Sequence, residues 1–156
     1  MFSDCGTYRY SLTRNLPLIV RWIKPAIFIM LNPSTADAQN DDPTIRRCIS
    51  FAMREQCSTL TIVNLFALRA TDPRVLKNHP DPIGPRNDEV IAELLRHNNA
   101  SIRVAAWGSH PFARERGRQL LSKHGPLICL GTTKDGSPRH PLYVKADQCF
   151  YETGLV

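Results

Sequence analysis

Six apolar residues in a row, Ala26-Ile27-Phe28-Ile29-Met30-Leu31, follow Pro25 and stop at Asn32-Pro33. A run of this length without polar alternation reads as a β-strand buried on both faces, and such strands belong to parallel sheets with helices above and below. Leu60-Thr61-Ile62-Val63 closes on Asn64 in the same way, and Ile102-Arg103-Val104-Ala105-Ala106-Trp107 stops at Gly108. A fourth run, Leu127-Ile128-Cys129-Leu130, leads into a loop from Gly131 to Arg139 that is rich in Gly, Thr, Ser and Pro.

Between these runs the apolar period becomes helical. Asp42-Pro43 sets an N-cap residue before a proline at the first helical position, and Ile45, Cys48, Ile49, Ala52 and Met53 then recur on one face. Asn87 to Arg96 repeats the pattern with Val90, Ile91, Leu94 and Leu95. Pro111 to Lys123 reads as a third helix whose outer face carries Arg114, Arg116, Arg118 and Lys123. Asp72-Pro73, Pro80, Pro82, Gly84 and Pro85 leave room for no more than one helical turn, near Arg74 to Lys77. At the amino end Tyr8 to Leu12 alternates like an edge strand, and Leu16 to Trp22 is placed to pair with it across Arg14-Asn15. A short helix is expected from Lys145 onward. Strands alternating with helices predict one domain over residues 1–156, a three-layer α/β/α sandwich. Its central sheet is expected to be four-stranded and mainly parallel, with a short N-terminal β-hairpin.

In such sheets binding sites form at the carboxyl ends of the strands. Four polar blocks stand there in order: Leu31-Asn32-Pro33-Ser34, Val63-Asn64-Leu65-Phe66, Ala106-Trp107-Gly108 and Arg139-His140-Pro141. A carboxamide at Asn32 either starts a turn or faces a ligand, donating to and accepting from a base edge or holding a water. Asn64, alone among apolar neighbours, needs hydrogen-bond partners from a loop backbone or a ligand. His140 lies between two prolines, Pro138 and Pro141, in a loop stiff enough to aim an imidazole at developing negative charge. His110 competes with it, while His79, His97 and His124 fall at loops or helix ends. Asp37, Asp41 and Asp42 follow the first block; Asp42 reads as the helix cap, leaving Asp37 and Asp41 as carboxylates able to activate a water. No Gly-x-Gly-x-x-Gly, P-loop or Gly-x-Ser-x-Gly is present in the sequence.

The chain carries 20 Lys and Arg against 14 Asp and Glu, a formal charge of +6, which permits a polyanionic partner such as DNA or a nucleotide. Five cysteines without C-x-x-C spacing argue against a disulfide framework and a zinc site, so reduced, mostly buried thiols, no metal and no cofactor are expected. No apolar run reaches the ~18 residues of a membrane span. Met1 to Gly6 lacks a basic flank before an apolar core, so a cytoplasmic protein without a signal peptide or membrane partner is expected, most simply a monomer.

Taken in order, the four blocks resemble the motifs of the uracil-DNA glycosylase superfamily. Met30-Leu31-Asn32-Pro33-Ser34 is similar to the motif that ends its first strand, and Val63-Asn64-Leu65 to the strand end whose Asn reads a flipped pyrimidine. Ala106-Trp107-Gly108 resembles a Leu-Trp-Gly block, and His140-Pro141-Leu142-Tyr143 a late loop that offers a histidine to the base and a wedge to DNA. Leu31-Asn32-Pro33-Ser34-Thr35-Ala36 followed by Asp41-Asp42-Pro43-Thr44 looks closer still to a bacterial group, domain of unknown function 1643. Asn32 stands where the most active glycosylases carry Asp, and the leading Gly of their first motif is replaced.

The glycosylase resemblance implies a hydrolase of DNA repair that cleaves the N-glycosidic bond of a flipped base. Asn32 with Asp37 or Asp41 would hold the attacking water, and His140 would stabilise the departing base. Asn64, Leu31 and Trp107 would surround that base. Ser34, Arg139, Arg46, Leu142 and Tyr143 would contact nucleic acid. The alternatives are a non-catalytic module that binds nucleic acid or a nucleotide in the same pocket, and an enzyme acting on a free nucleoside or nucleotide.

Overall fold

The computed structural model describes residues 1–17, 24–34, 40–97 and 102–153. Its strands are β1 (Leu12–Asn15), β2 (Pro25–Met30), β3 (Thr59–Asn64), β4 (Ile102–Ala105), β5 (Ile128–Cys129) and β6 (Tyr151–Glu152). Its helices are α1 (Pro43–Arg54), α2 (Val75–Asn78), α3 (Asn87–His97) and α4 (Ala113–His124), with a 3₁₀ turn at Pro141–Tyr143. The class is α/β.

The sheet differs from the four-stranded, mainly parallel one expected. It is mixed and six-stranded, in the order β1-β3-β2-β4-β5-β6. The inner four strands are mutually parallel, and β1 and β6 add antiparallel to the two edges. Each added strand covers a row of backbone N–H and C=O groups that an open edge would leave to solvent. The N-terminal hairpin is corrected accordingly: β1 pairs with β3, Leu12 opposite Ile62 and Asn15 opposite Thr59, and the Thr13 and Thr61 hydroxyls meet at 3.1 Å. Residues Leu18 to Trp22 of the proposed partner lie outside the described residues, and Tyr8 and Arg9 form only isolated bridges. The C-terminal helix is also corrected, because Tyr151–Glu152 pairs with β5 instead. Two residues are too few to display a period.

Alternate side chains of β2 go to opposite faces. Phe28 and Met30 join Leu60, Ile62 and Val104 beneath the α1 face of Ile45, Cys48, Phe51 and Ala52. Ile27 and Ile29 join Val63, Ala105 and Trp107 beneath Ile91 and Leu95 of α3 and Ala113 and Leu120 of α4. The α1 cap is the one expected, Asp42 accepting from the Ile45 N–H at 2.8 Å. Gly117 lets α4 lie directly on the Trp107 indole, since a Cβ there would come within 2.7 Å of the ring.

Register sets the site. Met30 pairs with Asn64, and Ile29 with Ala105, so the three blocks that follow emerge side by side at one edge of the sheet.

All five thiols are free; Cys48, Cys57 and Cys129 are buried, and Cys5 and Cys149 are exposed. Hydrogen bonds with Ser3 and then Thr7 pull the Cys5 thiol down to about 7, which raises its thiolate fraction at neutral pH. Titration with a chromogenic disulfide at pH 7 is therefore expected to show two native-state equivalents. Cys5 should react several-fold faster than Cys149, and the other three only on unfolding. More than two fast equivalents would contradict the packing of the three buried thiols.

Candidate functional site

A cleft of about 520 Å³ opens where the strand ends converge. Met30, Leu31, Asn32 and Ser34 line it from the first block and Asn64 from the second. Trp107 and Gly108 through Pro111 come from the third, and His140 and Tyr143 from the fourth. The four blocks therefore form one pocket, walled further by Arg9, Asp42, Thr44, Ala70 and Thr71.

Asn64 lies at the strand end, 1% exposed, and neither Nδ2 nor Oδ1 has a hydrogen-bond partner among the described residues. Its backbone is fixed, by contrast. Asn87 donates through Nδ2 to Asn64 O at 2.9 Å and to Leu65 O at 3.1 Å, and Arg116 Nε donates to Leu65 O at 3.3 Å. Asp88 in turn pairs with Arg116. The next two amides continue the ladder, Leu65 N–H to Met30 O at 2.9 Å and Phe66 N–H to Leu31 O at 3.0 Å. A rigid backbone thus presents a side chain whose donor and acceptor are both unanswered. Leaving such a group buried costs about 1–3 kcal/mol, and that cost is what a polar ligand in the cleft would remove.

His140 caps the 3₁₀ turn, its Nδ1 accepting from the Leu142 N–H at 3.3 Å. An imidazole that accepts through Nδ1 carries its proton on Nε2 when neutral, which makes Nε2–H a donor. Burial pushes the His140 pKa down, with Asp42 pulling weakly the other way. The loop is tied on both sides: Gly108 N–H donates to Pro138 O at 3.0 Å, and Arg47 Nη2 donates to Val144 O at 2.7 Å. The Tyr143 ring tilts against the imidazole at 5.5 Å.

The sign of the pH effect follows. A histidine whose folded pKa is depressed binds its proton more readily in the unfolded chain, so stability rises with pH through that interval. Its contribution is complete above the unfolded value of about 6.5 and fades as pH falls from there through the lower folded value. Two-dimensional NMR titration should place His140 below 6.5 with the Nε2–H tautomer dominant at neutral pH. A midpoint at or above 6.5 would contradict the burial argument.

Other proposed site residues are placed as follows. Asn32 Nδ2 donates to Ala70 O at 2.7 Å and Pro33 O at 3.1 Å, so its oxygen is the atom left to hold a water. Asp41 is held by Arg14 through Nε and Nη2, both at 2.8 Å, and is not part of the cleft wall. Asp37 lies outside the described residues. Leu31, Ser34 and Trp107 line the cleft. Tyr143 lines the cleft and is 77% exposed, while Leu142, 43% exposed, is not part of its wall. Arg139 Nε donates to Thr132 O at 3.0 Å, and exposed Arg46 donates to Asp41 O, both away from the cleft wall.

Two charged wall residues were not read as site residues. Asp42, read only as a helix cap, is the carboxylate that lines the cleft. Arg9 also lines it, 2% exposed, with burial lowering its pKa to about 10. The alternation Tyr8-Arg9-Tyr10 carried the only sign of it: where Tyr10 turns inward on one side, Arg9 must lie on the other. His110 also lines the cleft, and its Nδ1 is buried without a hydrogen-bond partner among the described residues.

Among the described residues no group of three His, Cys, Asp or Glu is placed to hold a metal ion, and no helix is long and apolar enough to cross a membrane. Comparison with curated proteins finds no match. Comparison with solved structures also finds none. The family model described as Protein of unknown function (DUF1643) matches residues 9–142, so the cleft and nearly all its walls fall within the match, and the chain belongs to that family.

Proposed function

We propose that the cleft binds a nucleobase of DNA and that the protein is a glycosylase-like hydrolase of the N-glycosidic bond, built on the uracil-DNA glycosylase plan. The observation that carries the reading is the Asn64 carboxamide, buried at a strand end with both hydrogen-bonding atoms unanswered among the described residues. One donor beside one acceptor in a plane complements the adjacent acceptor and N–H on the edge of a pyrimidine. A base inside a duplex must leave the stack before this edge can meet Asn64, at a cost of a few kcal/mol.

The residues of the four blocks then have chemical roles. As the glycosidic bond breaks, negative charge gathers on the departing base, and the His140 Nε2–H would be the donor that meets it. The attacking water would sit between the Asn32 oxygen and Asp42, the carboxylate on this wall. Trp107 supplies a flat apolar surface for the ring, and Leu142 with Tyr143 an apolar wedge for the vacated stack.

One observation favours a second reading, a pocket that binds without cleaving. The Asn32 nitrogen is taken by Ala70 and Pro33, and Asp42 already caps α1 through Oδ1, so the water is held by groups with structural duties. The assay that separates the two uses end-labelled oligonucleotides carrying uracil, mismatched thymine or a modified base, followed by alkali. Strand scission at one kind of base would establish the hydrolase and name its substrate. Saturable binding with no scission would establish the binding module. Neither binding nor scission on DNA would overturn both and direct the search to free nucleotides.

A further inference from the structure

Beside the cleft lies a second cavity of about 480 Å³, walled by Gly6, Thr7, Ser34, Arg69, Ala70 and Thr71. Ser34, Ala70 and Thr71 also line the cleft, so the two spaces share a wall. The side chains around the second cavity comprise one guanidinium and three hydroxyls, and no carboxylate. That composition suits an anion, since every polar side chain is able to donate and none repels negative charge.

The guanidinium is held in place. Arg69 Nη1 donates to Gly6 O at 3.0 Å, the group lies over the Phe2 ring at 5.3 Å, and the Arg69 N–H donates to Thr7 O at 3.0 Å. These contacts engage one of its five N–H donors. The rest of the fork suits two oxygens of one phosphate, the bidentate geometry that arginine favours.

The shared wall is clamped to the first block from both sides. Ala70 N–H donates to Pro33 O at 3.0 Å, and Asn32 Nδ2 donates back to Ala70 O at 2.7 Å. Asn32 therefore fixes the spacing between the two cavities, a positioning role beyond any contact with a water.

We propose that the second cavity is a phosphate subsite, taking the phosphate ester attached to the nucleoside whose base enters the cleft. Arg69 is its charged donor, and Ser34 and Thr71 its neutral ones, the Thr7 hydroxyl being shared with Cys5 Sγ at 3.2 Å. This rests on the base-binding reading and narrows it: the ligand is a nucleotide rather than a free base or nucleoside. A monophosphate and the phosphodiester of a strand offer the same oxygens, and the experiment separates them.

The test follows backbone amides by NMR while wild type and Arg69→Gln are titrated with inorganic phosphate, 2′-deoxyuridine, its 5′- and 3′-monophosphates, and a trinucleotide with a central deoxyuridine. Inorganic phosphate is expected to shift the Gly6, Thr7, Arg69 and Thr71 amides of wild type and to leave those of Arg69→Gln in place. A phosphorylated ligand should bind wild type about tenfold or more tightly than the nucleoside. Arg69→Gln should remove that advantage and leave nucleoside affinity unchanged. A gain with a monophosphate identifies a free nucleotide, and a gain with the trinucleotide alone identifies a strand; both support the subsite. Amides that ignore inorganic phosphate in wild type, or an advantage that survives Arg69→Gln, overturn it. Should phosphate titrate the subsite while deoxyuridine binds nowhere, the anion site stands and the base reading falls.

Discussion

Asn64→Leu is expected to yield a protein more stable than its parent that no longer binds a base. The side chain is 1% exposed, with neither donor nor acceptor paired among the described residues, so an apolar residue of similar size removes a desolvation penalty of about 1–3 kcal/mol. For a domain of this size that is a rise in Tm of roughly 2–10 °C. Ligand affinity moves the other way, by about a hundredfold or more, since a site built to hydrogen-bond a partner tolerates the loss of those bonds poorly. Asn87→Leu is the control with opposite sign. It is equally buried, but its Nδ2 holds the Asn64 and Leu65 carbonyls, so its loss should lower stability by about 2 kcal/mol. Thermal melts of both variants check the pair. A fall in Tm for Asn64→Leu would mean that the carboxamide is bonded within the fold, and the argument for a ligand there would fail.

Phe51→Ala is expected to give the largest loss of stability, about 3–5 kcal/mol by the usual cost of truncating a buried aromatic, against a total of about 5–15 kcal/mol. Phe51 is buried on the inner face of α1 and meets Phe150 edge-on at 6.1 Å. It also carries two arginines over its ring, Arg47 at 5.0 Å and Arg54 at 5.1 Å. Arg47 reaches Pro141 O and Val144 O, and Arg54 reaches Ala146 O and Gln148 O. Removing the ring therefore loosens the segment that holds His140 as well as the core. Urea denaturation should show the loss, and hydrogen exchange at Leu142 and Tyr143 should quicken by more than the global change accounts for in Phe51→Ala but not in Phe51→Leu. A loss below 1 kcal/mol would contradict the packing described.

The parallel core was legible because β2 and β3 are buried on both faces and leave an unbroken or nearly unbroken apolar run. The α1 start was legible because Asp42-Pro43 is a local signal whose cap depends on nothing distant. The edge strands were not. β6 has two residues, both exposed, and its pairing is decided by where β5 ends rather than by its own composition. The alternation of Tyr8 to Leu12 falls ahead of β1, whose own partner lies more than forty residues on, at Thr59 to Ile62, and alternation cannot name a partner. The site divides along the same line. Asn32, Asn64, Trp107 and His140 were readable because strand ends point one way in a parallel sheet. Arg9 and Asp42 were not, since Arg9 comes from a bridge segment outside the named strands and Asp42 serves a local cap that explains it fully. Asp41 was offered as a catalytic carboxylate; Arg14, across the chain, holds it elsewhere.

The most direct measurement is the side-chain amide signal of Asn64, followed as the deoxyuridine trinucleotide and its modified-base counterparts are added to ¹⁵N-labelled protein. With one of these bases seated in the cleft, the Asn64 NH₂ pair should move downfield as its unanswered donor gains an acceptor, while the Asn87 pair, already bonded to two carbonyls, stays where it is. A ligand that saturates the protein and leaves the Asn64 signal unmoved would contradict the account at its root.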